Sequence, residues 1–305
     1  MSADPALQLT GPRTVRLVEV GPRDGLQNEA ALVPLAIKLE LIDRLALAGH
    51  KTIEATAYVS PHAIPQMADH RALLKGLRQR PGVSYPVLVP NLRGLEEALE
   101  DGVREIAVFT AASEVFNRHN INCSVAESLQ RFEPVMELAQ RSGLRVRGYL
   151  SCAISCPYTG PVEPASVAEL ALRLYEMGCE EISLGDTTGA GTPGACLRML
   201  EAVNRHIPLS ALAGHFHDTQ GQAVANTFAC WQAGLGVFDA SVGGLGGCPY
   251  APGASGNVAS ESLVYLFDGL GVDTGVDLTR LRDTAAYIRH ALASAAALPA
   301  THAGR

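Results

Sequence analysis

His215 and His217 stand two apart at the end of an apolar run, residues 209–213. On a strand, side chains two apart share a face. Both imidazoles would then point the same way, as two ligands of one metal ion must. Two satisfied histidines at a strand end have the same spacing, so the pair alone leaves both readings open. Residues 18–29 run from a β-branched strand into a turn that carries Arg23, Asp24 and Gln27. Asp-Gly is a common turn dipeptide, and a solvated charged turn is the plainer account of it. Residues 243–257 are rich in glycine, with Pro249 and Pro252, and carry one thiol, Cys248, and one carboxamide, Asn257. Glycine lets backbone approach a ligand closely, and proline fixes the chain locally. The segment suits an ordered loop that brings a cysteine to a reacting atom. An ordinary turn with a passive thiol has the same composition.

These groups need elements to position them. Strand-like runs recur near 15–20, 52–57, 84–89, 104–109, 145–150, 180–184, 210–216 and 237–242, with helical patterns between them at 34–48, 124–142, 165–177 and 194–206. Gly49, Gly143, Gly178 and Gly234 each follow a helical stretch, as a C-terminal cap does. Eight strands alternating with helices over this length fit an α/β (β/α)8 TIM barrel, with an open doubly wound sheet as the competing architecture. Asp24, Glu54, His215, His217 and Cys248 all fall at or after carboxyl ends of strands, where barrel active sites form. A further amphipathic helix near 278–296 (Tyr287, Ile288, Leu292) would cover the barrel or a partner subunit. Residues 1–298 read as one catalytic domain and 299–305 as a disordered tail.

Taken jointly, the motifs resemble the DRE-TIM metallolyases, and within that superfamily the hydroxymethylglutaryl-CoA lyase family. The stretches that carry the likeness are Gly21-Pro22-Arg23-Asp24-Gly25-Leu26-Gln27-Asn28-Glu29, Val59-Ser60-Pro61, Asn120-Ile121-Asn122-Cys123-Ser124, Arg147-Gly148-Tyr149 through Cys152, Gly185-Asp186-Thr187, Gly191-Thr192-Pro193-Gly194 and the whole Cys248 loop. The likeness as a whole spans roughly residues 14–290.

The resemblance implies a lyase that splits 3-hydroxy-3-methylglutaryl-CoA into acetoacetate and acetyl-CoA, as in leucine degradation. It implies a cation held by Asp24, His215, His217 and Asn257, and it points to magnesium or manganese. Imidazole ligands by themselves equally suit zinc, iron or nickel. Four protein ligands on an octahedral ion leave two positions for the thioester carbonyl and the 3-hydroxyl. Arg23 would stabilise the enolate oxygen. The base that takes the hydroxyl proton would be His215, Asp24, Glu19 or Glu54, with His215 favoured. Cys248 would protonate the enolate carbon. Gln27 would orient Arg23 or the substrate, and Glu54 and Asp186 would support the arginine, the histidines or the substrate. Arg118 and His119 suit a substrate contact or a solvated loop, and Asp218 a helix cap. A homodimer is the expected assembly.

Two features depart from the animal enzymes of this family. Ala30-Ala31 stands where those enzymes carry a lysine, which bears on substrate range. Their cysteine-containing C-terminal tail is absent, so no thiol switch between subunits is expected there. Rival chemistries on the same residues are cleavage of a larger 3-alkyl analogue, Claisen-type condensation, metal-dependent hydrolysis and iron-dependent oxygenation. Condensing relatives usually carry an acid where Leu26 stands and lack the Cys248 loop. Barrel hydrolases place His-x-His after the first strand, not the seventh. The fourth ligand and the barrel disfavour an oxygenase.

The 305 residues are 47% hydrophobic with a net charge of −7. No basic patch interleaved with aromatics suggests nucleic acid as a partner. No apolar run approaches the roughly 18 residues of a membrane span. The N-terminus lacks the features of a signal peptide or a mitochondrial presequence. Seven cysteines without a dense framework read as reduced thiols in a cytoplasm. The Cys152–Cys156 spacing suits packing rather than a zinc ribbon.

Overall fold

The computed structural model describes residues 9–246 and 256–297. Eight parallel strands form the sheet: β1 (Arg16–Glu19), β2 (Thr52–Ile53 and Thr56–Ala57), β3 (Val87–Leu88), β4 (Glu105–Ala111), β5 (Arg145–Ser151), β6 (Glu181–Asp186), β7 (Leu212–Phe216) and β8 (Val237–Ala240). Each lies beside its successor, and β8 returns to β1 in the register Arg16↔Val237 through Glu19↔Ala240. The circle closes through β2. Its first half pairs with β1 and its second with β3. Between them Glu54 N–H donates to Glu19 O at 2.9 Å and Ala55 N–H to Pro86 O at 2.9 Å. The interruption is a change of partner, and the chain stays extended across it.

Helices cover the outside. They are α1 (Leu35–Ala48), α2 (His70–Gly76), α3 (Leu92–Glu100), α4 (Glu114–Ile121), α5 (Val125–Arg141), α6 (Pro164–Glu176), α7 (Pro193–Asn204), α8 (Ala223–Gln232), α9 (Ser260–Gly269) and α10 (Leu278–Ala297). The TIM barrel expected from the alternating pattern is the fold. Two expected strands are shorter than their apolar runs. β3 keeps only Val87–Leu88, because Pro86 and Pro90 flank it and have no N–H to pair. β7 begins at Leu212 because a 3-10 turn, Leu209–Ala211, follows Pro208. The glycines expected to close helices do so: Gly49 caps α1 with φ 115°, and Gly143, Gly178 and Gly234 also have positive φ.

Strand alternation sorts β7 and β8 by face. Phe216 and Phe238 point outward and pack 6.5 Å apart, while Phe267 of α9 lies 6.0 Å from Phe238 and Trp231 of α8 lies 6.1 Å from Phe267. Burying each ring contributes about 1.5–3 kcal/mol. The intervening positions, His215 and Asp239, therefore turn into the barrel. The expected final helix packs on α1, with Leu281, Ala285 and Ile288 buried and the Arg44 guanidinium 4.5 Å from the Tyr287 ring centre. The expected tail, 299–305, lies outside the described residues.

Candidate active site

β1 ends in a single π-helical turn, Gly21–Gly25, in which Val20 O accepts from Arg23 N–H at 3.2 Å and Gly25 N–H at 3.1 Å. Glu19 holds this turn from beneath. Its Oε1 accepts from Gly21 N–H at 2.8 Å and Val242 N–H at 2.9 Å, and its Oε2 from the Ser260 hydroxyl at 2.7 Å. Burial pushes the Glu19 carboxyl up to about 7 against the pull of those donors. Glu19 was a candidate base, yet it forms no part of the cavity wall described below.

The turn aims two consecutive side chains at the barrel mouth. Arg23 Nε donates to Glu54 Oε2 at 2.7 Å, and its second guanidinium nitrogen donates to Asp24 Oδ1 at 2.9 Å. Asp24 Oδ2 accepts from Asn257 Nδ2 at 2.7 Å. Burial opposes ionisation of Asp24, but Arg23, His215 and His217 together hold its carboxyl below the usual range. Burial pushes the Glu54 carboxyl up, and Arg23 only partly offsets that.

His215 and His217 converge on the same point. Their Nε2 atoms lie 3.2 Å apart, and one ligand atom from each of Asp24, His215 and His217 falls within 4.8 Å of the others. His215 Nδ1 lies 3.1 Å from Asp239 Oδ2, which selects the tautomer that leaves Nε2 free. Burial lowers the His215 imidazole, but the hydrogen bond and charge of Asp239 outweigh it and raise the group. Burial, with His215 beside it, pushes His217 down to about 4.

Asn257 reaches the cluster through the backbone. It forms an antiparallel bridge with His217, with Asp218 N–H donating to Gly256 O at 2.7 Å and Val258 N–H to Phe216 O at 3.0 Å. Its Nδ2 is committed to Asp24 and to Leu245 O at 3.1 Å, which leaves Oδ1 available to a cation. Gly246 permits this approach. It has φ 109°, and a Cβ there would stand 2.7 Å from Asn257 Nδ2. One carboxylate and two imidazoles therefore meet, with the Asn257 carboxamide bonded to that carboxylate. Among the described residues, buried Nδ1 of His217 and Oε1 of Glu54 have no hydrogen-bond partner. The donor set fits a divalent cation.

A cavity of about 440 Å3 opens over this cluster, its walls including Arg23, Asp24, Gln27, Tyr149, His215 and His217. Gln27 is half-buried in that wall, and Glu54 lies fully buried behind Arg23. Asp186 sits at the end of β6 with Oδ2 accepting from Gly191 N–H at 2.8 Å, so its carboxylate faces the β6–α7 loop. Burial raises its carboxyl. Arg118 is exposed, and the His119 ring stacks on Tyr158 at 4.4 Å. Asp218 accepts from Ala223 N–H at 2.9 Å, at the start of α8. Ala30 is exposed. Cys248 lies outside the described residues, although Gly246 and Gly256 on either side of its segment are joined by a 3.0 Å hydrogen bond.

Asp239 escaped notice in the sequence as a functional residue. Its Oδ1 accepts from Arg147 at 2.7 Å and its Oδ2 from the Ser183 hydroxyl at 2.7 Å. Burial opposes its ionisation, but Arg147 and His215 hold it far below the usual carboxylate range. The available signal was one acid in an apolar strand, a placement that demands a charged partner.

A family model described as HMGL-like matches residues 14–288. The chain belongs to the HMGL-like family. Mitochondrial hydroxymethylglutaryl-CoA lyase of Rattus norvegicus is 57% identical over 283 residues, 93% of this chain and 87% of that protein. A cytoplasmic 3-hydroxy-3-methylglutaryl-CoA lyase of the same organism is 55% identical over 287 residues, 94% of this chain and 84% of that protein. The crystal structure of hydroxymethylglutaryl-CoA lyase from Pseudomonas aeruginosa superposes with a TM-score of 0.91 at 55% identity, covering 93% of this chain and 94% of that one. HMGL-like relatives thus carry both compartment names. Among the described residues no helix is long and apolar enough to cross a membrane.

Proposed function

We infer that this HMGL-like chain is a carbon–carbon lyase that cleaves 3-hydroxy-3-methylglutaryl-CoA into acetoacetate and acetyl-CoA. The observation that carries this reading is the position of Arg23, bonded to both Asp24 and Glu54 in the cavity where His215 and His217 converge. Asp24, His215, His217 and Asn257 would hold Mg2+ or Mn2+. When bound, that cation supplies Lewis acidity toward a thioester carbonyl and a tertiary hydroxyl.

The protein groups divide the remaining work. Arg23 stays cationic, because Glu54 and Asp24 raise its guanidinium further above its usual range than burial lowers it. Its donors are fixed before any substrate arrives, and such donors act on charge that develops during the reaction. Proton removal from the 3-hydroxyl falls to His215 or Asp24, because Glu19 does not face the cavity and Glu54 is closed off behind Arg23. Because Asp239 occupies Nδ1, His215 has only Nε2 free, which holds the cation or accepts a proton but not both at once. Cys248 is the proposed acid toward the enolate carbon. A thiol with a reference pKa near ~8.5 is mostly protonated at neutral pH and able to donate. The loop that carries it leaves and rejoins the described chain beside Asn257. Gln27 would contact substrate from the cavity wall, and Asp186 would act from the end of β6. A cytoplasmic homodimer with reduced thiols completes the reading. The six cysteines among the described residues are free and buried.

The deciding experiment measures acetyl-CoA and ketone release from a panel of 3-hydroxy-3-alkylglutaryl-CoA thioesters. Equal release of both products from the 3-methyl substrate is expected. Condensation of acetyl-CoA without cleavage, or preference for a larger 3-substituent, would overturn it.

A further inference from the structure

Arg147 is 4% exposed and sits inside the barrel on β5, behind the cavity rather than in its wall. Its guanidinium is divided among three partners. Nε donates to Glu181 Oε1 at 2.8 Å, one terminal nitrogen to the Tyr149 hydroxyl at 2.9 Å, and the other to Asp239 Oδ1 at 2.7 Å. From there two chains run to the site. Asp239 holds His215 Nδ1 at 3.1 Å, while the Tyr149 hydroxyl donates to Glu54 Oε2 at 3.2 Å and the same oxygen accepts from Arg23. The Tyr149 ring centre lies 4.9 Å from the Arg147 guanidinium carbon and 5.3 Å from that of Arg23. Glu181 also pairs with Arg16, which fixes the third edge at the base of the barrel.

We propose that Arg147 is a positioning residue that sets both arms of the site at once, His215 through Asp239 and Arg23 through Tyr149 and Glu54. Arg147, Asp239, Tyr149, Glu54 and Arg23 are all buried, and His215 at the end of one arm is partly open to the cavity. A planar guanidinium can serve three partners in fixed directions, whereas a lysine ammonium is a point charge on a flexible stem. Arg147 touches neither the proposed metal ligands nor the cavity directly. Its effect on catalysis passes through Asp239 and Tyr149.

The proposal rests on the metal-dependent lyase reading, so its test reads binding and turnover separately in the full-length protein. Mn2+ alone is titrated against wild type, Asp239→Asn, Tyr149→Phe and Arg147→Lys, and kcat and KM are measured for each. Asp239→Asn should weaken Mn2+ binding about 10- to 100-fold, as the loss of a partner behind a ligand histidine does. Tyr149→Phe should leave Mn2+ affinity within about twofold and lower kcat by roughly 10- to 100-fold, the scale of a displaced reacting group. Arg147→Lys should do both. If Arg147→Lys does not fold, the split between the other two variants decides. Arg147→Lys that folds with wild-type Mn2+ affinity and kcat, or Asp239→Asn and Tyr149→Phe that move the same parameter, would overturn the proposal. Wild type that binds Mn2+ but cleaves no thioester would refute the lyase reading and leave the metal arm measurable.

Discussion

His217 and Asn257 are backbone partners, joined by an antiparallel bridge at the rim of the barrel. The pairing sets a carboxamide beside an imidazole with the rigidity of a sheet. It also carries Asn257 Nδ2 to within 2.7 Å of Asp24 Oδ2, so three chain segments meet at one point. A site assembled this way should bind its ion without rearrangement.

Metal removal tests that directly. Dialysis against EDTA should abolish thioester cleavage, and added Mg2+ or Mn2+ should restore it. Full turnover in enzyme shown metal-free by elemental analysis would sink the cation assignment.

Arg23→Met should lower kcat on the order of 100- to 1,000-fold and change KM far less, because Arg23 is proposed to meet charge that appears mainly in the transition state. Steady-state kinetics decides. An altered KM with wild-type kcat would show that Arg23 only holds the ground state.

Cys248→Ala should retain metal and substrate binding while turnover falls by roughly 100- to 10,000-fold, the range of a positioned general acid. Thiol alkylation should inactivate the wild type, and bound substrate should slow the loss. The other six cysteines are buried and should react slowly. A variant with its metal and near wild-type rate would make the thiol structural.

Glu19 gives a pH signature in stability. Its carboxyl titrates at about 7 in the folded protein against 4.5 unfolded. The folded state holds the extra proton between those values, so the contribution is full below about 4.5 and is lost as pH rises through about 7. His50, 3.5 Å away, has the opposite sign. Burial pushes it from 6.5 to about 4, so its contribution grows with pH across that window. Glu19→Gln removes only the first contribution and can still accept from Gly21 and Val242. The stability difference, variant minus wild type, should rise by on the order of 1–3 kcal/mol between about pH 4.5 and 7. Urea unfolding across that range measures it, and a difference that stays flat with pH would refute the assignment.

The barrel was legible because alternating strand and helix patterns are local. His215 and His217 were legible for the same reason, since a period of two places both on one face. The start of β3 was blurred by Pro86, whose apolar ring read as strand but which has no N–H to donate. The division of β2 at Glu54 leaves no trace in composition, because it is only a change of hydrogen-bond partner. Asp239 and Arg147 went unassigned for a deeper reason. They lie on β8 and β5, and nothing in either strand announces that closure of the sheet brings them together. Glu19 stood among the candidate bases, behind His215, because it is an acid at a strand end. Its three donors come from the π turn, from Val242 and from α9, segments far apart in the chain.

Arg23 and Asp24 are consecutive residues of one five-residue turn, Gly21–Gly25. The anion proposed for the ion and the cation proposed for the substrate are thus coupled by a single peptide bond. No loop exchange can move one and spare the other, and an insertion or deletion in that turn would erase both functions together. The opposite wall is built differently, from residues such as Ile121 on α4 and Arg131 on α5. Those helices can be recut without disturbing the turn. Divergence toward new acyl substrates in this scaffold, natural or engineered, should therefore accumulate on the α4–α5 side, with the β1 side inherited whole.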